Sequence, residues 1–158
     1  MYEKFKINEE IIMKNLLQTC LFVILVSLTF VTNVFAENMK KMGTMQVHYM
    51  AINATFLTPK IAKAYNIERS RFNGLLNISV LDGTKDSTPA KKVIIQGKAR
   101  NDLGQIKTLE FDEVKEGEAI YYLAQVKYND EETFYFDITI NDGKETQQLK
   151  FKQKFYVD

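Results

Sequence analysis

Arg69, Ser70 and Arg71 stand together just ahead of an apolar run, in the stretch RSRFNGLLNISVLD. They are the chain's clearest means of gripping an anion. A guanidinium fork holds a carboxylate or phosphate through two parallel hydrogen bonds. Asn73 and Asn77 lie in the same stretch and add amide donors and acceptors. The competing role for the arginines is structural: holding loop carbonyls, or pairing with a neighbouring carboxylate. His48 is the one histidine. It has the chemistry of a general base, but without a second histidine or a nearby cysteine it makes no zinc site of the usual kind. No G-x-S-x-G elbow supplies a nucleophile for it.

Glu110 and Asp112 are two apart on an expected strand, which would put them on one face at roughly 7 Å. That separation suits the paired carboxylates of a glycosidase. The chain has no tryptophan to stack a sugar, however. Lys150, Lys152 and Lys154 alternate near the C-terminus. Such a row either meets an anionic lipid or polymer or blunts an exposed strand edge against other chains. Asn129-Asp130-Glu131-Glu132 is acidic but lacks the alternating ligands of a calcium loop, and reads as a solvated turn. No catalytic set and no metal site emerges, and no cofactor is expected.

The elements that must position these groups are strands. Val47, Tyr49 and Ala51 alternate, then the apolar phase switches to Ile52, Ala54 and Phe56. A slip of one residue reverses the faces of a strand, so the pattern predicts a bulge near Ala51-Ile52 within a strand over 44–56. Thr58-Pro59 opens a short helix, with threonine as N-cap and proline at the first helical position. Asn66 is suited to end it in a left-handed conformation. Leu76, Ile78 and Val80 form the buried face of a central strand over 74–81, and Leu75, Asn77, Ser79 and Leu81 its other face.

Further alternating runs follow at Val93–Ala99, Leu109–Phe111, Ile120–Tyr128, Phe134–Ile140 and Leu149–Phe155. Gln153 interrupts the last inward set and calls for a polar partner. Asp142-Gly143 is a strong two-residue hairpin signal. Counted outward from it, Asn141 pairs with Lys144, Phe136 faces Leu149, Phe134 faces Phe151 and Lys150 lies opposite Tyr135. About seven strands and one short helix after the first of them predict an all-β, immunoglobulin-like antiparallel β-sandwich, without the Cys–Trp–Cys signature of true immunoglobulins.

The chain of 158 residues is 46% hydrophobic and 26% charged, which is globular composition. Its net charge of +1 offers no field for nucleic acid. Met13-Lys14-Asn15 precedes an apolar run over 16–35 that ends in Val34-Phe35-Ala36. This is the order of a secretory leader, so residues 1–36 read as a signal peptide cut between Ala36 and Glu37. The acidic residues ahead of Met13 fit that leader poorly, which points to Met13 as the true start. Left uncut, the same run is long enough to anchor the chain in a membrane. The single cysteine, Cys20, falls inside the leader, so the exported domain has no disulfide. Residues 37–43 read as a structureless tether, and 44–158 as a single domain.

The segments VHYMAINATFLTPKIAKAYNIERSRFNGLLNISVL, GKARNDLGQ, EFDEVKEGEAIYYLAQV, NDEETFYFDI and LKFKQKFYVD occur in order over residues 43–158. Together they resemble the bacterial domain-of-unknown-function 4426 family. The resemblance implies a small exported protein of a Gram-negative bacterium, resident in the periplasm. It brings no catalytic residues to carry over. The expected function is a non-enzymatic binding or interaction module of the cell envelope. Its surface would lie near Arg69, Arg71, Asn73, Asn77 and His48, and its partner would be an envelope protein or a small anionic ligand. The alternatives are a weak hydrolase or ligand carrier using His48 and the Glu110–Asp112 pair, and a membrane-tethered structural protein.

Overall fold

The computed structural model describes residues 38–157. The expected leader, with Met13 and the Ala36–Glu37 cut, lies outside them. Within this span, nine strands, one 3-10 turn and one short α-helix follow one another: β1 (Asn38–Met42), β2 (Met45–Asn53), the 3-10 turn (Ala54–Phe56), α1 (Pro59–Ala64), β3 (Asn73–Asp82), β4 (Ile94–Asn101), β5 (Ile106–Leu109), β6 (Phe111–Glu116), β7 (Ala119–Lys127), β8 (Thr133–Asn141) and β9 (Thr146–Lys154). Every pairing is antiparallel, in a five-stranded sheet ordered β1-β2-β3-β7-β6 and a four-stranded sheet ordered β5-β4-β8-β9. Leaving β1 aside, this is the immunoglobulin order A-B-E-D against C′-C-F-G. The strand over 73–82 is the middle one of its sheet.

Alternation drives the sandwich together. Val47, Leu76, Ile78 and Val80 from one sheet and Phe134, Ile138, Ile140 and Leu149 from the other are completely buried. Where true immunoglobulins use a disulfide and a tryptophan, this core uses rings. Tyr49 packs on Phe151 at 4.6 Å between centroids, Phe151 stacks on Phe136 at 4.8 Å, and the series continues through Phe134 and Phe155 to Tyr128. Both sheets are built from residues within 38–157, and residues 37–158 form one compact unit.

Four expectations are corrected. Residues 38–42 are not a tether: they form β1, hairpinned onto β2 through Gly43, whose φ of 59° is the left-handed conformation that favours glycine. The strand over 44–56 has no bulge, because β2 pairs with β3 without interruption from Met45–Asp82 to Asn53–Gly74. The apolar phase changes there because α1 covers the outer face of the sheet at that end, so Ile52 is packed on the far side. The strand over 108–112 is two strands. Glu110 is the corner where the chain leaves β5 and enters β6 in the other sheet, so it shares no strand face with Asp112.

The β8–β9 hairpin is also two residues longer than its Asp-Gly signal implies. Asn141 pairs with Thr146, Phe136 with Phe151, Phe134 with Gln153, Tyr135 with Lys152 and Asp137 with Lys150. The Asp142 carboxylate accepts from the backbone N–H of Lys144 at 2.9 Å and of Glu145 at 2.8 Å, and this closes a four-residue loop. A shift of two keeps every side chain on its own face, so the apolar faces still coincide. Gln153 donates to the Lys154 carbonyl at 2.7 Å.

The same loop latches the two sheets at one end. Lys91 Nζ lies 2.5 Å from Asp142 Oδ2, and Thr44, in the β1–β2 turn, donates to Glu145 through N–H at 2.7 Å and hydroxyl at 2.6 Å. The Lys91 ammonium, followed by the two backbone N–H groups, holds the Asp142 carboxyl well below the usual carboxylate range. A carboxyl with a depressed folded pKa contributes stability above its unfolded value, near pH 4, and loses it as the pH falls through the folded value. Lys91, raised chiefly by its bond to Asp142, contributes below the unfolded lysine value and loses that share as pH rises through the folded one. Urea melts taken downward from pH 4 are therefore expected to show falling stability, with a shallower fall in Asp142→Asn. An equally steep fall in that variant would rule the latch out as a source of the acid sensitivity.

Candidate functional site

Strand parity places Gln46, His48, Met50 and Ile52 of β2 on the outer face of the five-stranded sheet, beside Leu75, Asn77, Ser79 and Leu81 of β3. His48 stands opposite Ser79, and Asn77 opposite Met50, so His48 and Asn77 are diagonal neighbours on one surface. β7 adds Tyr121, Leu123 and Gln125 to this face, and β6 adds Asp112, Val114 and Glu116. At one end α1 lies over it and closes a second small core of Ala54, Ala62, Ile67 and Leu75. The helix forms where its caps put it. Thr58 Oγ1 accepts from the Ile61 N–H at 3.3 Å, Pro59 occupies the first turn, and Asn66 ends the segment at φ 53°.

Two of the residues expected to bind instead hold this helix in place. The Arg69 guanidinium donates to the carbonyls of Leu57 at 2.9 Å and Thr55 at 3.1 Å, tying the loop after α1 to the loop before it. Asn73 is completely buried, and its Nδ2 donates to the Glu68 carbonyl at 2.7 Å and to Gln125 Oε1 at 2.8 Å. Gln125 Oε1 also accepts from the Glu68 N–H at 2.8 Å, which stitches the 66–73 loop to β7. Arg71 is exposed and lies over the Phe72 ring at 5.0 Å. The structure thus brings Asn77 and His48 onto one face, places Arg69 and Asn73 in the scaffold beside it, and leaves Arg71 on the loop surface.

Between α1 and the β7–β6 side of the sheet a cleft of about 250 Å³ opens. Leu57, Ile61 and Tyr65 line it from the helix side; Leu123, Val114 and Tyr121 line it from the sheet. Glu116 and Asn77 are its polar members. Asn77 Oδ1 is shielded from solvent and accepts no hydrogen bond among the described residues. A buried acceptor left without a donor costs about 1–3 kcal/mol, a cost that an N–H or O–H brought to Asn77 would offset. The alternation rule alone missed Val114, Tyr121 and Leu123. The available signal was that they are apolar at positions where a strand of a one-sided sheet should be polar.

Among the described residues Glu110 and Asp112 do not share a strand. Glu110 is at the sheet-crossing corner, Asp112 faces Leu123 across β6–β7, and the register neighbours of His48 are Met39 and Ser79. Among the described residues no helix is long and apolar enough to cross a membrane.

The family model described as "Domain of unknown function (DUF4426)" matches residues 39–158. A crystal structure of a DUF4426 family protein from Pseudomonas aeruginosa PAO1 is similar at 31% identity, with a TM-score of 0.67, over 77% of this chain and 96% of that one. Two structures of FetP from uropathogenic Escherichia coli strain F11 share the fold. The copper-bound variant has 13% identity and a TM-score of 0.54, over 78% of this chain and 92% of its own. The form isolated after recombinant expression in the periplasm has 10% identity and a TM-score of 0.52, over 77% and 94%. No curated protein matches the chain in sequence.

Proposed function

Because this chain belongs to the DUF4426 family, we propose that it serves as a non-enzymatic interaction module, and that the cleft beside α1 receives an anchoring side chain from a protein of the cell envelope. The observation that carries the reading is Asn77 Oδ1, buried in an apolar cleft and awaiting a donor. Size selects the occupant. Pockets for whole small-molecule ligands run from roughly 300 to 1,000 Å³. A cleft of about 250 Å³ fits one large side chain better, the kind of buried anchor that dominates protein interfaces. A periplasmic location is part of the proposal; its support is the leader pattern of residues 1–36 and the shared fold of FetP, which was recovered from the periplasm. Copper is not carried over from FetP. The described residues bring no three His, Cys, Asp or Glu side chains together to hold a metal.

The test is a photo-reactive residue at Tyr121, at the cleft, and in a second strain at Glu118, on the β6–β7 turn. A discrete adduct with an envelope protein is expected from position 121 and not from 118, and it should drop at least tenfold on Asn77→Leu. That variant removes an unsatisfied buried acceptor, so its stability should hold or rise by about 1 kcal/mol. Equal adducts from both positions, or an adduct indifferent to Asn77→Leu, would sink the reading.

A further inference from the structure

We propose that the opposite surface of the sandwich, the outer face of the four-stranded sheet, docks on an anionic lipid bilayer. The register puts Lys98, Asp137 and Lys150 side by side in one row across β4, β8 and β9, and Arg100, Tyr135 and Lys152 in the next. Lys154 continues the β9 side. This face therefore carries five cations around the carboxylate of Asp137, with Asp102 beside Tyr135 and Glu131 beside Lys154 at its margins. The whole chain carries only +1, so the charge is concentrated here. Asp137 engages Lys150 at 3.0 Å and Glu131 engages Lys154 at 2.6 Å. Lys98 and Lys152 reach no carboxylate within 4 Å among the described residues. The cations border a shallow depression of about 580 Å³.

Edge protection accounts for only part of this. Lysines on β9 do guard an edge strand, but β4 is flanked by β5 and β8, so Lys98 and Arg100 have no edge to guard. The second observation is apolar. Leu103, at the tip of the β4–β5 turn, is 84% exposed, and Ile106 beside Arg100 is 61% exposed. Ile106 lines the depression among the charges, and Leu103 is exposed on the turn between Arg100 and Ile106. A partner protein would need a matching pocket for them. The interfacial layer of a bilayer accepts protruding apolar side chains without shape complementarity, while its anionic headgroups attract the lysines and arginine. The combination of a basic field and exposed aliphatic side chains selects the membrane surface over an acidic polypeptide.

The compact unit over residues 37–158 is mixed with sedimentable vesicles of phosphatidylcholine alone or with phosphatidylglycerol, at low and at high salt. Binding is expected to the anionic vesicles only and to weaken with salt. One cation near such a surface is worth about a fivefold factor in binding, so Lys98→Glu with Lys152→Glu should lower it well over tenfold while the melting curve stays in place. Leu103→Ser should weaken binding severalfold and leave the salt dependence. Asn77→Leu should leave it unchanged, which separates this face from the cleft. No binding to anionic vesicles, or full binding by the double variant, would overturn the proposal. So would capture of soluble polyglutamate with vesicles left unbound, which would turn the face into a site for acidic protein.

Discussion

Phe136→Ala is expected to lower the stability of the domain by roughly 3–5 kcal/mol, out of a total of about 5–15, and its Tm by about 10–20 °C. Phe136 is 2% exposed and sits at the centre of the aromatic series, stacked on Phe151 and 6.2 Å from Phe134. Its neighbour across β4 is Ala99, itself fully buried, so nothing beside it can swell into the space. Two sheets held in register by their backbone hydrogen bonds cannot collapse onto the void, and the cavity cost adds to the lost burial. Phe136→Leu should recover most of the loss. Thermal melts of both variants check this, and a fall below about 1 kcal/mol for the alanine would mean that the ring series does not hold the layers together. Overpacking tests the same core from the other side. Gly97 faces Ile138, Phe111 and Leu109 so closely that a Cβ would strike Ile138, and Gly97→Val should cost about 1–3 kcal/mol or more.

Asn73→Ala carries the second large effect, on the order of 2–3 kcal/mol. It removes a buried amide that joins the Glu68 carbonyl to Gln125 and leaves both acceptors without that donor. The helix then loses its hold on β7, so capture through position 121 should fall together with the Tm. Asn77→Leu is the contrast, expected to lose capture at a Tm that holds or rises. If Asn73→Ala left the melt in place while abolishing capture, Asn73 would be a contact residue and the scaffold role assigned to it would fail. Arg69→Ala belongs with Asn73, since its two hydrogen bonds end on backbone carbonyls of its own chain.

The candidate site was half legible for a physical reason. Asn77 and His48 could be named because polar side chains stand out on apolar strands, and both do lie on the outer face. Arg69 and Arg71 could be named as cations, but their type does not reveal whether the donors end on a ligand or on carbonyls such as Leu57 and Thr55. Tyr121, Leu123 and Val114 carry no chemical label and become a cleft wall only beside α1. Lys98 and Arg100 are far in sequence from Lys150 and Lys152, and β8 alone makes them one surface.

The sequence by itself determined which residues point inward, where α1 begins and ends, and that the strand over 73–82 is central. These follow from two-residue alternation, from Thr58-Pro59 and from Asn66, all of them local. Tertiary structure alone decided that β1 joins the sheet, that the chain changes layers at Glu110, and that Phe136 faces Phe151 instead of Leu149. Alternation specifies a face but is blind to shifts by two. The choice among such registers, and among neighbouring strands, falls to contacts such as Asp142 with Lys91 between residues that the sequence keeps far apart.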